Sequence, residues 1–472
     1  MRSLQTLVSP NSIAIIGASE RFHQNAGRVM VNLQKSKFSG EIYLVNPNYD
    51  TISGIHCYPS VLEIREEVDL ACVIVPFKHA PDILRECVKK QVKSVIIISS
   101  GFSESGPDGI TREEELKEIV KGTETSVYGP NSPGFYHFIG NWGISFSPRF
   151  EPKNFHKGSV GLISHGGSLG RAVLDANEKG LGFSYWLSPG NEMDITINDC
   201  FEFLISDPST ETILLIIESI SEEERFFRLL HQAYIKQKPV ILLPIGHSKI
   251  SRIAVKYHLG RNNDYSIPWD MVNHPGLVKA ESIDEVVALS WLFDTYKKAA
   301  GKRTAIFSWA GATSIYLADL CDKYGIQLQP LSSELQQKMK TITGIEKSFM
   351  NPLDLTTIVY DDLSKLTTCL EVLHKSGDFD NIIVPFPFQV DYQNEILSEQ
   401  MKKLMGERDS IFIPIFMSQG YQGELAIDIL KETKKPYFFH ENTAIKSLSA
   451  YINYSETQRQ EEEHNEKTIK SC

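Results

Sequence analysis

Residues Val160 to Arg171 read V-G-L-I-S-H-G-G-S-L-G-R. The run opens as a short apolar strand and turns through Ser164, His165, Gly166, Gly167 and Ser168. Leu169, Ala172, Val173 and Ala176 then recur at helical spacing, with Gly180 as a stop. A strand that turns through glycines into a helix leaves backbone N–H groups free at the helix start. The helix dipole adds partial positive charge there, so the place suits an anion. Two glycines allow close approach, and two serines can add hydroxyl donors. The same residues also make an ordinary strand-to-helix turn, and the rest of the chain has to decide between the two.

Upstream, Ser12–Gly17, Ile42–Val45, Val68–Val75, Val92–Ile98 and Ser126–Tyr128 read as strands. They close on Gly17-Ala18-Ser19, Asn46-Pro47, Pro76, Ser99-Ser100-Gly101 and Gly129-Pro130-Asn131. Helical patterns lie between them, so a parallel sheet covered by helices is expected, with ligands at the carboxyl ends of the strands. Gly17 and Gly27 are too far apart for G-x-G-x-x-G, and Asn46-Pro47 stands where a ribose-binding acid would close the second strand. This argues against a nicotinamide cofactor and leaves a nucleotide-like ligand showing its phosphates to Gly17–Ser19.

Gly140 to Lys157 reads as a linker. A second α/β unit follows, with Glu218 at the end of the strand Ile213–Ile217. A carboxylate there faces the ligand edge, or else it is a helix cap or surface charge. Gly246 to Asn273 shows no clear element and carries His258, read as a functional residue of an irregular segment or as a solvated loop histidine. A third α/β unit starts at Arg303, and 456–472 is charged and expected to be disordered.

Bulk composition fits three domains of a globular protein: 472 residues, 42% hydrophobic and 23% charged. A net charge of −11 and the lack of a basic patch with interleaved aromatics argue against nucleic acid as the main partner. No apolar run spans a bilayer and no secretory signal opens the chain, so no membrane partner is expected. Seven scattered cysteines without a C-x-x-C pair point to a reducing cytoplasm, with Cys57, Cys72 and Cys87 in the core.

The chain resembles the α-type subunit of NDP-forming acyl-CoA synthetases, relatives of succinyl-CoA synthetase, over roughly Leu7 to Tyr454. The resemblance rests on I-I-G-A-S at 15–19, V-N-P at 45–47, V-P at 75–76, S-G-F-S-E at 100–104 and G-P-N-S-P-G at 129–134. It continues with S-H-G-G-S-L-G at 164–170, G-N-E-M-D at 190–194, I-E-S-I at 217–220, Y-H-L-G at 257–260 and N-P-L-D at 351–354. It implies a Rossmann-like coenzyme A domain over 1–140, then two flavodoxin-like domains of succinyl-CoA-synthetase type over 150–298 and 301–455. Gly17, Ser19, Val45, Pro47, Pro76, Ser99 and Asn131 would bind coenzyme A. His258 would carry a phosphoryl group, with Glu218 holding its ring. Ser164, Gly166, Gly167 and Ser168 would cradle the phosphate, and no metal site is implied on this chain.

Nothing in the sequence resembles a lysine-bearing flexible loop followed by paired magnesium carboxylates. In the family Mg²⁺ and ATP or ADP bind on such an ATP-grasp domain, so the resemblance implies a separate partner chain and an oligomer. The substrates would be coenzyme A and a small carboxylic acid or its acyl phosphate. Leu259 stands where the family has threonine, and His165-Gly166 replaces a polar-plus-serine pair, which removes one hydroxyl donor. These departures keep two rivals open: a nucleotide-independent CoA acyl transfer enzyme, and a non-catalytic CoA-binding scaffold.

Overall fold

The computed structural model describes residues 4–150, 155–259, 272–296, 301–355, 362–386, 391–407, 410–417 and 424–471. The chain forms two compact units, Met1–Glu178 with Gly182–Glu281, and Ser282–Cys472 with Lys179–Leu181.

The first unit holds two sheets. Strands β1 (Ser12–Ile16), β2 (Glu41–Val45), β3 (Thr51–Ile52), β4 (Ile55–Tyr58), β5 (Leu70–Val73), β6 (Ser94–Ile97) and β7 (Ser126–Tyr128) form one, in the order β3-β4-β2-β1-β5-β6-β7. All pairs are parallel except β3 with β4. Helices α1 (Gln5–Val8), α2 (Asn25–Lys35), α3 (Ala80–Lys89) and α4 (Pro107–Val120) accompany it. β1 is flanked by β2 on one side and β5 on the other, so the connections diverge at its carboxyl end and open a crevice there. Strands β1, β5, β6 and β7 are buried along their whole length, as continuous apolar runs in a covered parallel sheet must be. Cys57, Cys72 and Cys87 are in this core as expected.

The second sheet contains β8 (Gly134–His137), β9 (Trp142–Ile144), β10 (Lys157–Ser164), β11 (Phe183–Ser188), β12 (Thr212–Ile217), β13 (Val240–Pro244) and β14 (Leu277–Lys279). Its order is β14-β13-β12-β10-β11-β8-β9. The stretch read as a linker from Gly140 therefore supplies β9, an edge strand antiparallel to β8. Aromatic packing explains this: Phe135 meets Trp142 edge-on at 5.3 Å and Phe38 lies 5.0 Å from the same indole. Helices α5 (Gly167–Leu174), α6 (Ile197–Ser206), α7 (Glu223–Ile235) and α8 (Lys249–Leu259) follow their strands. β10, flanked by β11 and β12, is the switch point of this sheet.

Gly190 to Ile195 joins the two sheets. The amides of Asn191, Met193 and Ile195 donate to the carbonyls of Pro130, Gly129 and Val127. The Asp194 carboxylate accepts from the Val127 amide at 2.8 Å. Gly190 is at φ +70°, and a Cβ there would sit 2.4 Å from the Pro130 carbonyl oxygen. Only glycine meets both conditions without strain.

The second unit holds four parallel strands, β15 (Thr304–Ser308), β16 (Leu353–Asp354), β17 (Asn381–Phe386) and β18 (Ile411–Phe416), in the order β16-β15-β17-β18. Its helices are α9 (Ile283–Thr295), α10 (Gly311–Lys323), α11 (Ser333–Thr343), α12 (Leu363–Lys375), α13 (Asp391–Met405), α14 (Glu424–Glu432) and α15 (Glu441–Ser471). The compact unit begins with α9, inside the 150–298 span expected for the preceding domain. Phe293 meets Tyr451 and Tyr454 edge-on at 4.9 and 5.1 Å, and Lys446 pairs with Glu285 at 2.9 Å. The charged end expected to be disordered continues α15 as helix to Ser471. No proline or glycine interrupts it, and Arg459 pairs with Glu456 one turn away. Among the described residues, no helix is long and apolar enough to cross a membrane.

Candidate active site

His258 lies on α8, a helix, in a segment whose sequence shows no clear element; residues 260–271 of that segment lie outside the described residues. The irregular reading arose because α8 packs little. Ile250, Ile253 and Tyr257 are exposed and Leu259 alone of its residues is buried, so the pattern lacks a core face.

His258 Nδ1 lies 2.8 Å from Glu218 Oε2. Glu218 follows β12, the strand paired with β10, so its placement comes from the sheet. The carboxylate side chain is 8% exposed and the imidazole 56%. A carboxylate facing Nδ1 makes that nitrogen the donor and leaves the Nε2 lone pair free. The hydrogen bond to Glu218 holds the His258 pKa above its ordinary 6.5, against the opposing effect of burial, and the Glu104 charge adds to the rise.

The free face of the ring is turned to the start of α5. A Cβ built on Gly166 would lie 3.5 Å from His258 Cε1 and 4.0 Å from Nε2. Gly166 caps α5 at φ +73°, ψ +156°, a conformation close to glycine-only, with no side chain satisfying the helix start. The first amides of α5 are therefore available next to Nε2. Ser168 is exposed on the first turn. Arg171, missed by the sequence reading, folds back so that its Nη2 would lie 3.4 Å from a Cβ on Gly167.

One expected cradle residue points elsewhere. Ser164 is fully buried, and its hydroxyl donates to the Gly166 carbonyl at 3.1 Å and accepts from the Trp186 indole at 3.0 Å. As the last residue of β10, a strand covered on both faces, it shapes the turn from inside the core. His165 is also buried and contacts Glu192 and the Glu218 amide.

The expected coenzyme A residues gather along the carboxyl edge of the first sheet. Gly17 follows β1 at φ +94°, where a Cβ would collide with the Ile74 carbonyl oxygen at 2.4 Å. Val45 ends β2 and is buried, while Pro47 and Pro76 are exposed on the rim. The Ser19 hydroxyl accepts from the Arg21 amide at 3.1 Å. Ser99 donates to the Val75 carbonyl. Asn131 is bound on both sides, through its amide to the Ser99 carbonyl at 2.9 Å and through its side chain to Asn191 at 3.2 Å. Ser99 and Asn131 thus brace the edge.

Asn191 and Ser103 carry the crevice across to α8, and sequence reasoning assigned neither. Asn191 Nδ2 lies 2.6 Å from Glu104 Oε2 and 3.0 Å from Glu113 Oε2. The Ser103 hydroxyl donates to the Leu259 carbonyl at 3.4 Å. The signal was present as S-G-F-S-E and G-N-E-M-D, but a motif does not state its contacts. Among the described residues no group of three or more metal-ligating side chains occurs.

A crevice edge with glycine-enforced backbone, beside a carboxylate-held histidine facing a helix start, is the arrangement that the resemblance to acyl-CoA synthetases implies. The comparisons agree. Residues 11–138 match a CoA binding domain, and residues 157–293 match a succinyl-CoA ligase like flavodoxin domain. The chain is 32% identical over 354 residues to ADP-forming acetate–CoA ligase II subunit alpha of Pyrococcus furiosus, covering 75% of this chain and 76% of the relative. It is 30% identical over 465 residues to ADP-forming acetate–CoA ligase I of Archaeoglobus fulgidus, covering 97% of this chain but 64% of the relative's length. A solved dinucleotide-forming acetyl-coenzyme A synthetase 1 of Ca. Korarchaeum cryptofilum shares the fold, with TM-score 0.85 at 24% identity, covering 97% of this chain and 98% of that one. The chain belongs to the family of ADP-forming acetate–CoA ligase alpha subunits.

Proposed function

We propose that this chain is the coenzyme-A-binding, phosphohistidine-bearing part of an NDP-forming acyl-CoA synthetase. It interconverts acid, CoA and NTP with acyl-CoA, NDP and phosphate, together with a separate chain that binds the nucleotide and Mg²⁺ on an ATP-grasp domain. The observation that carries the proposal is His258, bonded through Nδ1 to Glu218 and turned through Cε1 and Nε2 toward Gly166.

Coenzyme A is a substrate here, held at the ends of β1, β2, β5 and β6, where Gly17 keeps the backbone clear for close approach. In the thioester-consuming direction, phosphate displaces CoA thiolate from the acyl carbon and gives an acyl phosphate. The His258 Nε2 lone pair then attacks phosphorus. The P–O bond to the acyl group breaks and the carboxylate leaves with its electrons. The ring becomes cationic as the N–P bond forms, and the Glu218 carboxylate offsets that charge at Nδ1–H. Gly166, Gly167 and Ser168 supply donors to the phosphoryl oxygens, and the α5 dipole adds to their effect. Transfer from His258 to NDP on the partner restores the neutral ring. Free buried thiols at Cys57, Cys72, Cys87, Cys200, Cys321 and Cys369 suit a reducing cytoplasm.

The test is reconstitution with a nucleotide-binding chain, following thioester formation from acid, CoA and ATP. Turnover that needs both chains and is lost in His258→Ala is expected. Full activity of His258→Ala would overturn the proposal. Thioester formation by this chain alone, from an acyl donor without nucleotide, would move the assignment to acyl transfer.

A further inference from the structure

We infer that His165 and Glu192 form a buried positioning pair that sets the Glu218 carboxylate against His258; the inference rests on the reading of His258 as the phosphoryl carrier. His165 and Glu192 side chains are 0% and 2% exposed, with Nε2 and Oε1 2.6 Å apart. His165 Nδ1 accepts the Glu218 backbone N–H at 2.9 Å. That bond needs a bare Nδ1, so the proton is on Nε2 and is donated to Glu192. The other Glu192 oxygen accepts the Ile197 amide at 2.9 Å, at the start of α6. The His165 amide donates to the Ile216 carbonyl at 2.9 Å, which holds the backbone that carries the ring beside β12.

The result is a continuous chain from Glu192 through His165 to the Glu218 backbone, then through the Glu218 side chain to His258 Nδ1. Glu192 sits at φ +58°, an uncommon conformation for a non-glycine residue. The loop that imposes it is the one that bonds to Val127, Gly129 and Pro130 below the coenzyme A crevice. The pair therefore couples the phosphoryl histidine to the loop joining the two sheets. Neither residue touches the reacting atoms.

The test uses the full chain with acyl-CoA and phosphate, reading the rate of phosphohistidine formation against pH. His165→Phe keeps a planar ring but loses both bonds. A roughly tenfold slower rate is expected, the scale seen when outer-shell partners of oriented ligands are removed. The acidic limb should also move to lower pH, because a misplaced carboxylate no longer supports the imidazolium. His165→Gln can accept from the Glu218 amide and donate to Glu192, so it should restore most of the rate and return the limb. A misfolded His165→Phe is recognised by loss of CoA binding, and the Gln variant then carries the test against His165→Leu. An unchanged rate and limb in folded His165→Phe, or no difference between Gln and Leu, overturns the inference alone. A wild-type chain that never phosphorylates overturns the reading beneath it.

Discussion

Replacing Glu218 by Gln should slow phosphoryl transfer at its plateau and move the acidic limb of its pH profile to lower pH. The amide keeps the shape and can still accept from His258 Nδ1, but the charge is lost. Hydrogen bonds to charged groups contribute about 1.5–3 kcal/mol and neutral ones about 0.5–1.5 kcal/mol. The 56% exposure of the His258 side chain admits water to the pair, which puts the difference at the low end. About 1 kcal/mol lost from the transition state is roughly a fivefold slower plateau. The carboxylate raises the His258 pKa above 6.5, so removing it lowers that pKa. The nucleophile is the neutral ring, and the wild-type rate falls as pH drops through the raised value. In Glu218→Gln the fall begins at lower pH, so the two profiles converge on the acid side. The assay is single-turnover phosphorylation from acyl phosphate over a pH series, with intact-mass detection. A variant with unchanged plateau and unchanged acidic limb would refute the role of the carboxylate.

Two further outcomes follow from local geometry. Among the described residues no hydrogen bond or ion pair engages the Arg171 guanidinium, and it lies over Gly167 at the α5 start. Arg171→Ala should raise the half-saturating phosphate concentration in phosphohistidine formation roughly tenfold, the worth of one charge-assisted bond, with little change in CoA affinity. Gly190→Ala forces a Cβ to 2.4 Å from the Pro130 carbonyl at φ +70°. A cost of about 1–3 kcal/mol is expected; thermal melting should show it as a Tm several degrees lower.

The short or polar strands β3, β4, β8 and β9 carry no apolar run, but much of the fold was legible because the central strands of the covered sheets are apolar runs closed by turn residues. Val160–Ser164 and Ile213–Ile217 are the clearest cases, and the sheet pairing brings their ends together. The placement of Glu218 at a strand end follows from the same pattern. α8 was not legible, because exposed Ile250, Ile253 and Tyr257 give no periodic buried face. The α15 extension was hidden by its charge, since composition alone does not separate a solvated helix from a disordered tail. Ser164 lies outside the cradle. β10 is covered on both faces, so Ser164 packs in the core against Trp186, and a turn motif carries no sign of that. His165 and Glu192 were invisible as a pair, since 27 positions separate them and only the fold brings their side chains to 2.6 Å.

Everything proposed for this chain turns on His258 accepting a phosphoryl group. The direct measurement is intact mass of the chain after incubation with acyl-CoA and phosphate, or with acyl phosphate. One added phosphoryl group is predicted, labile in acid and stable in base, absent from His258→Ala. Retention of the added mass in His258→Ala, or an unmodified wild-type chain that binds CoA normally, would contradict the account.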